Sequence, residues 1–297
     1  MYEFVFDLVI AFVIGAVPVW FVVTRKNGWG PLHFIAGIVW VVVAYGSFIA
    51  PRSLVVKEYS VDLRAAGSRA TGRSLDLAVI SDLHLGKYRH LEWTRKVVDR
   101  INALHPDAVL LAGDLATTIA GTAAFPPLRD LHSAFGAYAA LGNWDYRAGA
   151  VDVRKALGSY GVQTLVNRSV PIEKNGQTFR IVGLDDVQYG KPDMQKALAE
   201  VHANEIPILF VHNPDAEQQA EVHDIPLVIA GHTHGGQIRL PLIGPVPRIP
   251  TKLGNHYDRG AFSVGAITLF ITPGVGESGP RARLFQPPEI SFLHVIY

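Results

Sequence analysis

Five short apolar runs in this 297-residue chain each end on side chains that hold cations or protons. Leu75 to Ile80 leads into Ser81-Asp82-Leu83-His84, and Ala108 to Ala112 into Gly113-Asp114. The runs ending at Leu141, Val211 and Ala230 lead into Gly142-Asn143, His212-Asn213 and Gly231-His232-Thr233-His234. Runs this short, bounded by such residues, read as buried strands, since a helix needs about ten residues or more. Ligands of open α/β sheets sit outside the carboxyl ends of their strands. The pattern points to an α/β fold that delivers Asp82, His84, Asp114, Asn143, His212, His232 and His234 to one rim.

The remaining chain fits the same class. Leu54 to Leu63 reads as a strand, and residues 64–74, rich in Gly, Ser and Arg, as an exposed loop. A helix is predicted over 91–104, where Val97, Ile101 and Leu104 recur at helical spacing and Pro106 follows. Another strand ends at Gly183, with helices near 150–159 and 192–202. The last fifth, from Gly235, is rich in Gly and Pro and reads as β-hairpins and loops. Alternating strands and helices over 51–297, with no repeat and no linker, make one domain.

Seven oxygen and imidazole donors exceed the three or four that a single zinc-type site takes. They suit two ions a few ångströms apart with a shared carboxylate. The chain has no cysteine, so thiolate chemistry is excluded. Asp82 and His84, as alternate residues of an extended segment, would point the same way and grip one ion. His232 and His234 can each serve one of two adjacent ions. Glycine before Asp114, Asn143 and His232 lets the backbone turn sharply and approach a ligand closely. A lone His after a strand is ordinarily a hydrogen-bonded loop residue, but that reading does not account for the joint pattern.

Asp82-x-His84, Gly113-Asp114, Gly142-Asn143, His212 and Gly231-His232-x-His234 resemble, in order, the five blocks of calcineurin-like metallophosphoesterases over about residues 75–240. Ser81 to Gly86, His212 to Asp215, Gly231 to Ile238 and Pro287 to Ile290 are similar to one bacterial branch. That branch includes membrane-associated phosphodiesterases and UDP-2,3-diacylglucosamine pyrophosphatases. The resemblance implies a four-layer α/β/β/α sandwich with a two-metal centre that hydrolyses phosphodiesters or pyrophosphates. It implies that Asp82, His84 and His234 hold one metal and Asn143, His212 and His232 the other, with Asp114 bridging. Ligands of this mixed kind fit Mn²⁺, Fe or Zn²⁺ better than Ca²⁺.

One position departs from the family pattern. The third block is usually Gly-Asn-His-Asp/Glu and here reads Gly142-Asn143-Trp144-Asp145. An indole can donate a hydrogen bond but cannot act as a general acid. Substrates with good leaving groups should suffer least, and simple alkyl monoesters should be poor. A Trp144 that merely packs against the rim is the plainer alternative.

The apolar excess lies at the start. Residues 4–23 form a run broken only by Asp7, Gly15 and Pro18, and residues 33–50 a second. About twenty residues at roughly 1.5 Å each cross a hydrocarbon core of about 30 Å. With the polar turn Thr24 to Pro31 between them, 1–50 reads as a transmembrane hairpin preceding the domain. A signal peptide and a buried core hairpin are the competing readings. The first lacks the basic opening and the small-residue cleavage site. Arg52, Lys57, Arg64 and Arg69 after the second span outweigh Arg25 and Lys26 in the turn. By that count the domain is cytoplasmic, and the resemblance to a bacterial branch implies an anchor in a bacterial inner membrane.

The net charge of +1 argues against a polybasic nucleic-acid binder. Trp144, His90, Gln237 and Arg239 are candidate substrate contacts, while Arg281 and Arg283 read as solvated arginines of the closing loop. Gly274-Val275-Gly276-Glu277-Ser278-Gly279 has dinucleotide-fold spacing, but Pro280, Pro287 and Pro288 leave no helix to follow it, so it reads as a loop. Three functions follow: a membrane-anchored phosphohydrolase of phosphorylated small molecules or lipids, an exterior-facing phosphodiesterase of soluble substrates, or a metal-binding interaction module impaired by Trp144.

Overall fold

The structure, a computed structural model, describes residues 2–64 and 72–297. The greater part of the proposed 64–74 loop therefore lies outside the described residues. Two helices open the chain, α1 (Tyr2–Thr24) and α2 (Pro31–Ala44), and α2 continues as a π-turn over Tyr45–Ile49 and a 3₁₀ turn over Ala50–Arg52. They pair as a hairpin, with the Trp40 indole donating to the Ile14 carbonyl (3.1 Å) and the Trp20 ring stacked on His33 (4.3 Å between centroids). No residue of α2 is buried, and Phe12, Val23 and Phe34 are each more than 70% exposed.

The rest alternates strands and helices. In chain order they are β1 (Val55–Asp62), β2 (Ser74–Ile80), α3 (Leu91–Asn102), β3 (Ala108–Ala112), β4 (Ala137–Ala140), α4 (Asn143–Ser159) and β5 (Val162–Thr164). There follow β6 (Arg168–Lys174), β7 (Gln177–Gly183), α5 (Met194–Leu198), β8 (Ile206–Phe210), α6 (Glu217–Val222) and β9 (Leu227–Ala230). The last are β10 (Arg239–Leu240), β11 (Gly244–Pro245), β12 (Gly260–Val264), β13 (Ile267–Ile271) and β14 (Glu289–Ile296).

Two six-stranded sheets result, ordered β1-β14-β2-β3-β4-β5 and β12-β13-β9-β8-β7-β6. Leu77, Val79 and Leu110 of the first sheet pack against Phe179, Ile208, Phe210 and Ile229 of the second. The outer face of the first sheet carries α3 and α4, burying Val97, Ile101, Val153 and Leu157. The second carries α5 and α6 over Leu209, Val228 and Leu269. This is the four-layer α/β/β/α sandwich that the resemblance implied.

Several elements differ from the sequence reading. The C-terminal region is more than hairpins and loops: β14 inserts between β1, to which it is parallel, and β2, to which it is antiparallel. Its partners lie more than 200 residues upstream, so no local pattern announces it. The helix proposed at 150–159 begins at Asn143 and breaks at Gly149 (φ 112°), and that proposed at 192–202 is confined to α5. Asp193 caps α5 by accepting the Lys196 N–H (2.9 Å). Gly274 to Gly279 forms a loop, as read, and its task is close packing: a Cβ on Gly276 would lie 2.3 Å from the Asp82 carbonyl oxygen.

Candidate metal centre

The loops after β2, β3, β4, β8 and β9 converge at the carboxyl ends of the parallel strands. Asp82, His84 and His234 form one buried group, and Asp114, His212 and His232 a second. In the first, His84 Nε2 and His234 Nε2 are 3.2 Å apart, and Asp82 Oδ1 lies 3.3 Å from His234 Nε2. In the second, His232 Nδ1 is 3.0 Å from His212 Nε2, which is 3.2 Å from Asp114 Oδ2. The same Asp114 oxygen lies 3.7 Å from His84 Nε2, so this carboxylate touches both groups.

The backbone that aims these side chains is unusual. Asp82, His84, Asp114, His232 and His234 all have positive φ, from 45° to 71°. Non-glycine residues seldom adopt this region, and such strain concentrates at functional sites. Asp82 and His84 therefore do not alternate along an extended segment. Their convergence comes from two left-handed residues held by the Asp82 N–H to Gly113 carbonyl (2.9 Å) and His84 N–H to Asp114 carbonyl (3.0 Å) bonds. Gly142 is required for close approach, since a Cβ there would sit 2.3 Å from Asp114 Oδ1.

Asn143 is buried at the start of α4, and no described residue hydrogen-bonds its Oδ1. Asp82 Oδ1 and His232 Nε2 likewise lack a hydrogen-bond partner among the described residues. Buried polar atoms of this kind are costly unless something binds them. The electrostatics point the same way. Burial pulls His212 down, but the carboxylates of Asp114 and Asp82 outweigh it and raise its pKa to about 10. Burial, then the His212 charge, pushes His232 down to about 4. Burial likewise lowers His234 to about 3, whereas the carboxylates of Asp82 and Asp114 overcome burial and raise His84. Burial raises Asp82 and Asp114, yet the neighbouring histidines hold both below the usual carboxylate range. In each His–His pair one imidazole is thus raised and the other lowered. A 3.2 Å separation is one that two nitrogens each about 2.1 Å from a single ion can adopt. The donor set and its unpaired atoms fit two cations.

A cavity of about 290 Å³ opens over both groups, walled by Asp114, Asn143, Trp144, His232, His234 and Arg248 among others. The Trp144 N–H donates to Asp114 Oδ1 (2.7 Å), and its ring lies edge-on to His84 at 6.0 Å and under the Arg147 guanidinium at 4.8 Å. Gln237 also lines the cavity, but its amide is engaged by the Ser278 and Pro280 carbonyls and the Ser278 N–H. Arg239 is ion-paired with Asp258 and donates to the Gly235 carbonyl, away from the cavity wall. His90 is exposed at the N-terminus of α3, also outside it.

Three residues acquire roles that sequence reasoning missed. Asp145 accepts the N–H groups of Leu115 (2.9 Å), Ala116 (3.0 Å) and Gly142 (2.9 Å), tying the second block to the third. Burial, reinforced by the Asp114 charge, raises it to about 7. An acid three residues after the Gly142 N-cap was its available signal. Arg283, read as solvated, is fully buried and donates to the carbonyls of Gly276, Pro273, Gly274 and His234. Arg248 is exposed on the cavity wall with no ion-pair partner among the described residues.

Residues 75–236 match the family model of calcineurin-like phosphoesterases. The chain is 29% identical over 253 residues to the uncharacterized metallophosphoesterase YkuE of Bacillus subtilis, covering 83% of this chain and 87% of that protein. It is 31% identical over 232 residues to an uncharacterized metallophosphoesterase of Campylobacter jejuni, covering 75% and 59%. It is 30% identical over 268 residues to the transmembrane protein with metallophosphoesterase domain of Danio rerio, covering 84% and 59%. The chain therefore spans about three fifths of the last two relatives. A 5'-nucleotidase precursor of Thermus thermophilus aligns with a TM-score of 0.48 at 14% identity, over 75% of this chain and 54% of that one. With the family model matching more than half of its length, the chain belongs to the calcineurin-like phosphoesterases and is a metal-dependent phosphoesterase.

Proposed function

We propose that the chain is a membrane-anchored phosphohydrolase that cleaves a phosphodiester or pyrophosphate bond of an amphiphilic substrate, of which UDP-2,3-diacylglucosamine is one instance. The observation that carries the reading is the pair of buried Asp/His groups bridged by Asp114 under one cavity. Asp82, His84 and His234 would hold one divalent ion and Asn143, His212 and His232 the other, with Mn²⁺, Fe or Zn²⁺ the best match. Such ions acidify a water and neutralise charge on the phosphoryl oxygens.

The chain's own residues do the remaining work. Asp145 fixes the Gly142–Asn143 turn, and the Trp144 N–H fixes the Asp114 carboxylate. Ala112 accepts from His212 Nδ1 (2.9 Å), which leaves Nε2 facing Asp114. Arg248 offers a guanidinium to a second anionic group of the substrate. Trp144 supplies no titratable proton to a leaving oxygen, so activated leaving groups are favoured.

The membrane part rests on the two helices long and apolar enough to cross a bilayer, Val5–Thr24 and Pro31–Arg52. Arg52, Lys57 and Arg64 on the domain side, against Arg25 and Lys26 in the turn, favour a cytoplasmic domain.

The deciding experiment is hydrolysis of bis(p-nitrophenyl) phosphate by metal-free protein reloaded with Mn²⁺, beside calorimetric metal titration. Two ions bound with turnover support the reading. Two ions bound with no turnover on any phosphodiester favour an interaction module. Replacing Trp144 by His should extend activity to alkyl esters, and no gain there removes the leaving-group argument.

A further inference from the structure

We propose that the β10–β11 hairpin is a third membrane contact, a flap whose apolar tip seats in the bilayer surface and puts the mouth of the metal cavity at headgroup level. The proposal rests on the reading of α1 and α2 as a membrane anchor. Leu242 is fully exposed, Ile243 is 74% exposed and Phe285 59%, with Leu240 and Val246 beside them. Large apolar side chains clustered in the open mark a binding surface. Leu240, Leu242, Ile243 and Phe285 line one shallow depression, so the cluster is contiguous.

The occupant follows from where the flap is tied. The Arg239 N–H bonds to the Leu284 carbonyl (2.9 Å), and the Leu284 N–H to the Gln237 carbonyl (3.0 Å). One residue earlier, the Arg283 N–H bonds to the Gly46 carbonyl (2.8 Å). Gly46 lies six residues before Arg52, where the second apolar span ends. This places the Arg283–Phe285 segment beside the last turns of the span, at the domain end of the anchor. The flap is thus continuous with the surface of the anchor at interfacial depth. Its charge suits an anionic bilayer: from Gln237 to Arg259 the chain carries Arg239, Arg248, Lys252 and Arg259 against one acid, Asp258.

The same segment walls the site. Pro247, Arg248, Ile249 and Pro250, directly after the tip, line the metal cavity. A substrate held by its acyl chains would then reach the two metal groups by lateral movement along the flap, with Arg248 meeting its anionic group first.

The absence of cysteine allows single nitroxide labels on the full chain in vesicles of phosphatidylethanolamine and phosphatidylglycerol. A label at Leu242→Cys is expected to show the oxygen and nickel-complex accessibility of lipid, and one at Val222→Cys, exposed on α6, that of water. Phe34→Cys reports the anchor separately. Leu242 reading as aqueous while Phe34 reads as lipid overturns the flap and leaves the anchor standing. Both reading as aqueous overturns both. In a second test, the doubly substituted Leu242→Asp, Ile243→Asp protein should lose about tenfold in turnover of hexadecyl p-nitrophenyl phosphate in those vesicles, from lost apolar insertion. Its turnover of bis(p-nitrophenyl) phosphate should be unchanged. Equal turnover of the vesicle-borne ester would overturn the proposal.

Discussion

The N-terminal hairpin and the central strands are the two most apolar parts of the chain, yet their burial is opposite. Every residue of β3 is buried, while no residue of α2 is. Both need a neighbour other than water, because apolar surface is stable only where water is removed. The strands find it in the facing sheet and the helices above them. The hairpin finds little of it within the protein, so its apolar surface faces outward. The acids at the ends of the two kinds of segment differ correspondingly. Asp114, after β3, is buried between histidines, whereas Asp7, in α1, reaches out to Lys87 (2.6 Å) and to the Tyr88 hydroxyl. Burial sets one acid inside a cluster of histidines and leaves the other as a contact between hairpin and domain.

Four experiments test this contrast. Asp114→Ala should lower turnover on the order of 10³-fold, since it removes the group shared by both halves of the site. A fall of less than tenfold would mean that the halves work independently. In the core, Leu110→Ala should cost about 2–5 kcal/mol in chemical denaturation, because it opens a cavity between the sheets. Phe34→Ala, on the hairpin's exposed face, should stay within about 0.5 kcal/mol. Equal losses would place Phe34 in a protein core and end the contrast.

The third concerns protons. His212, with its pKa raised to about 10, is protonated at pH 7 in the metal-free protein. Cation binding must displace that proton, so uptake at pH 7 releases acid. Apparent affinity should climb as pH rises toward about 10 and weaken as it falls. Calorimetry in two buffers of different protonation enthalpy reads the release, and identical heats would contradict it. The smallest effect belongs to Asp7→Asn, whose partner Lys87 is about half exposed. Hydrogen exchange at Gly86 to Arg89 should quicken with no change in the denaturation midpoint. A lowered midpoint would make Asp7 part of the folded core.

The hairpin also grips the domain more firmly than Asp7 alone suggests. Arg89 is buried, chelated by Glu277, stacked 3.7 Å over the Trp93 ring, and donates to the Pro51 carbonyl where the hairpin ends. Lys96 donates to the Arg52 carbonyl (2.8 Å). Arg89 belongs to the loop that follows His84, so the hairpin and the first Asp/His group share one loop.

The residues alone carried the α/β class and the two apolar helices, and they singled out the Asp, Asn and His side chains that the fold gathers at one rim, because each depends on a local property. A short apolar run bounded by turn residues reads as a buried strand, a run of about twenty is long enough to cross a bilayer, and Asp, Asn and His after five strands form a joint pattern that a lone loop residue does not. Tertiary structure decided what depends on groups far apart in the chain. It placed β14 in the middle of the first sheet, buried Arg283 among carbonyls, tied the Gln237 amide to the Ser278 and Pro280 backbone and paired Arg239 with Asp258. It also set positive φ at five donor positions and left Arg248 facing the cavity. Local sequence reports what a segment needs from its surroundings. Which distant segment supplies it is settled only when the two sheets close on each other and remove the water between them.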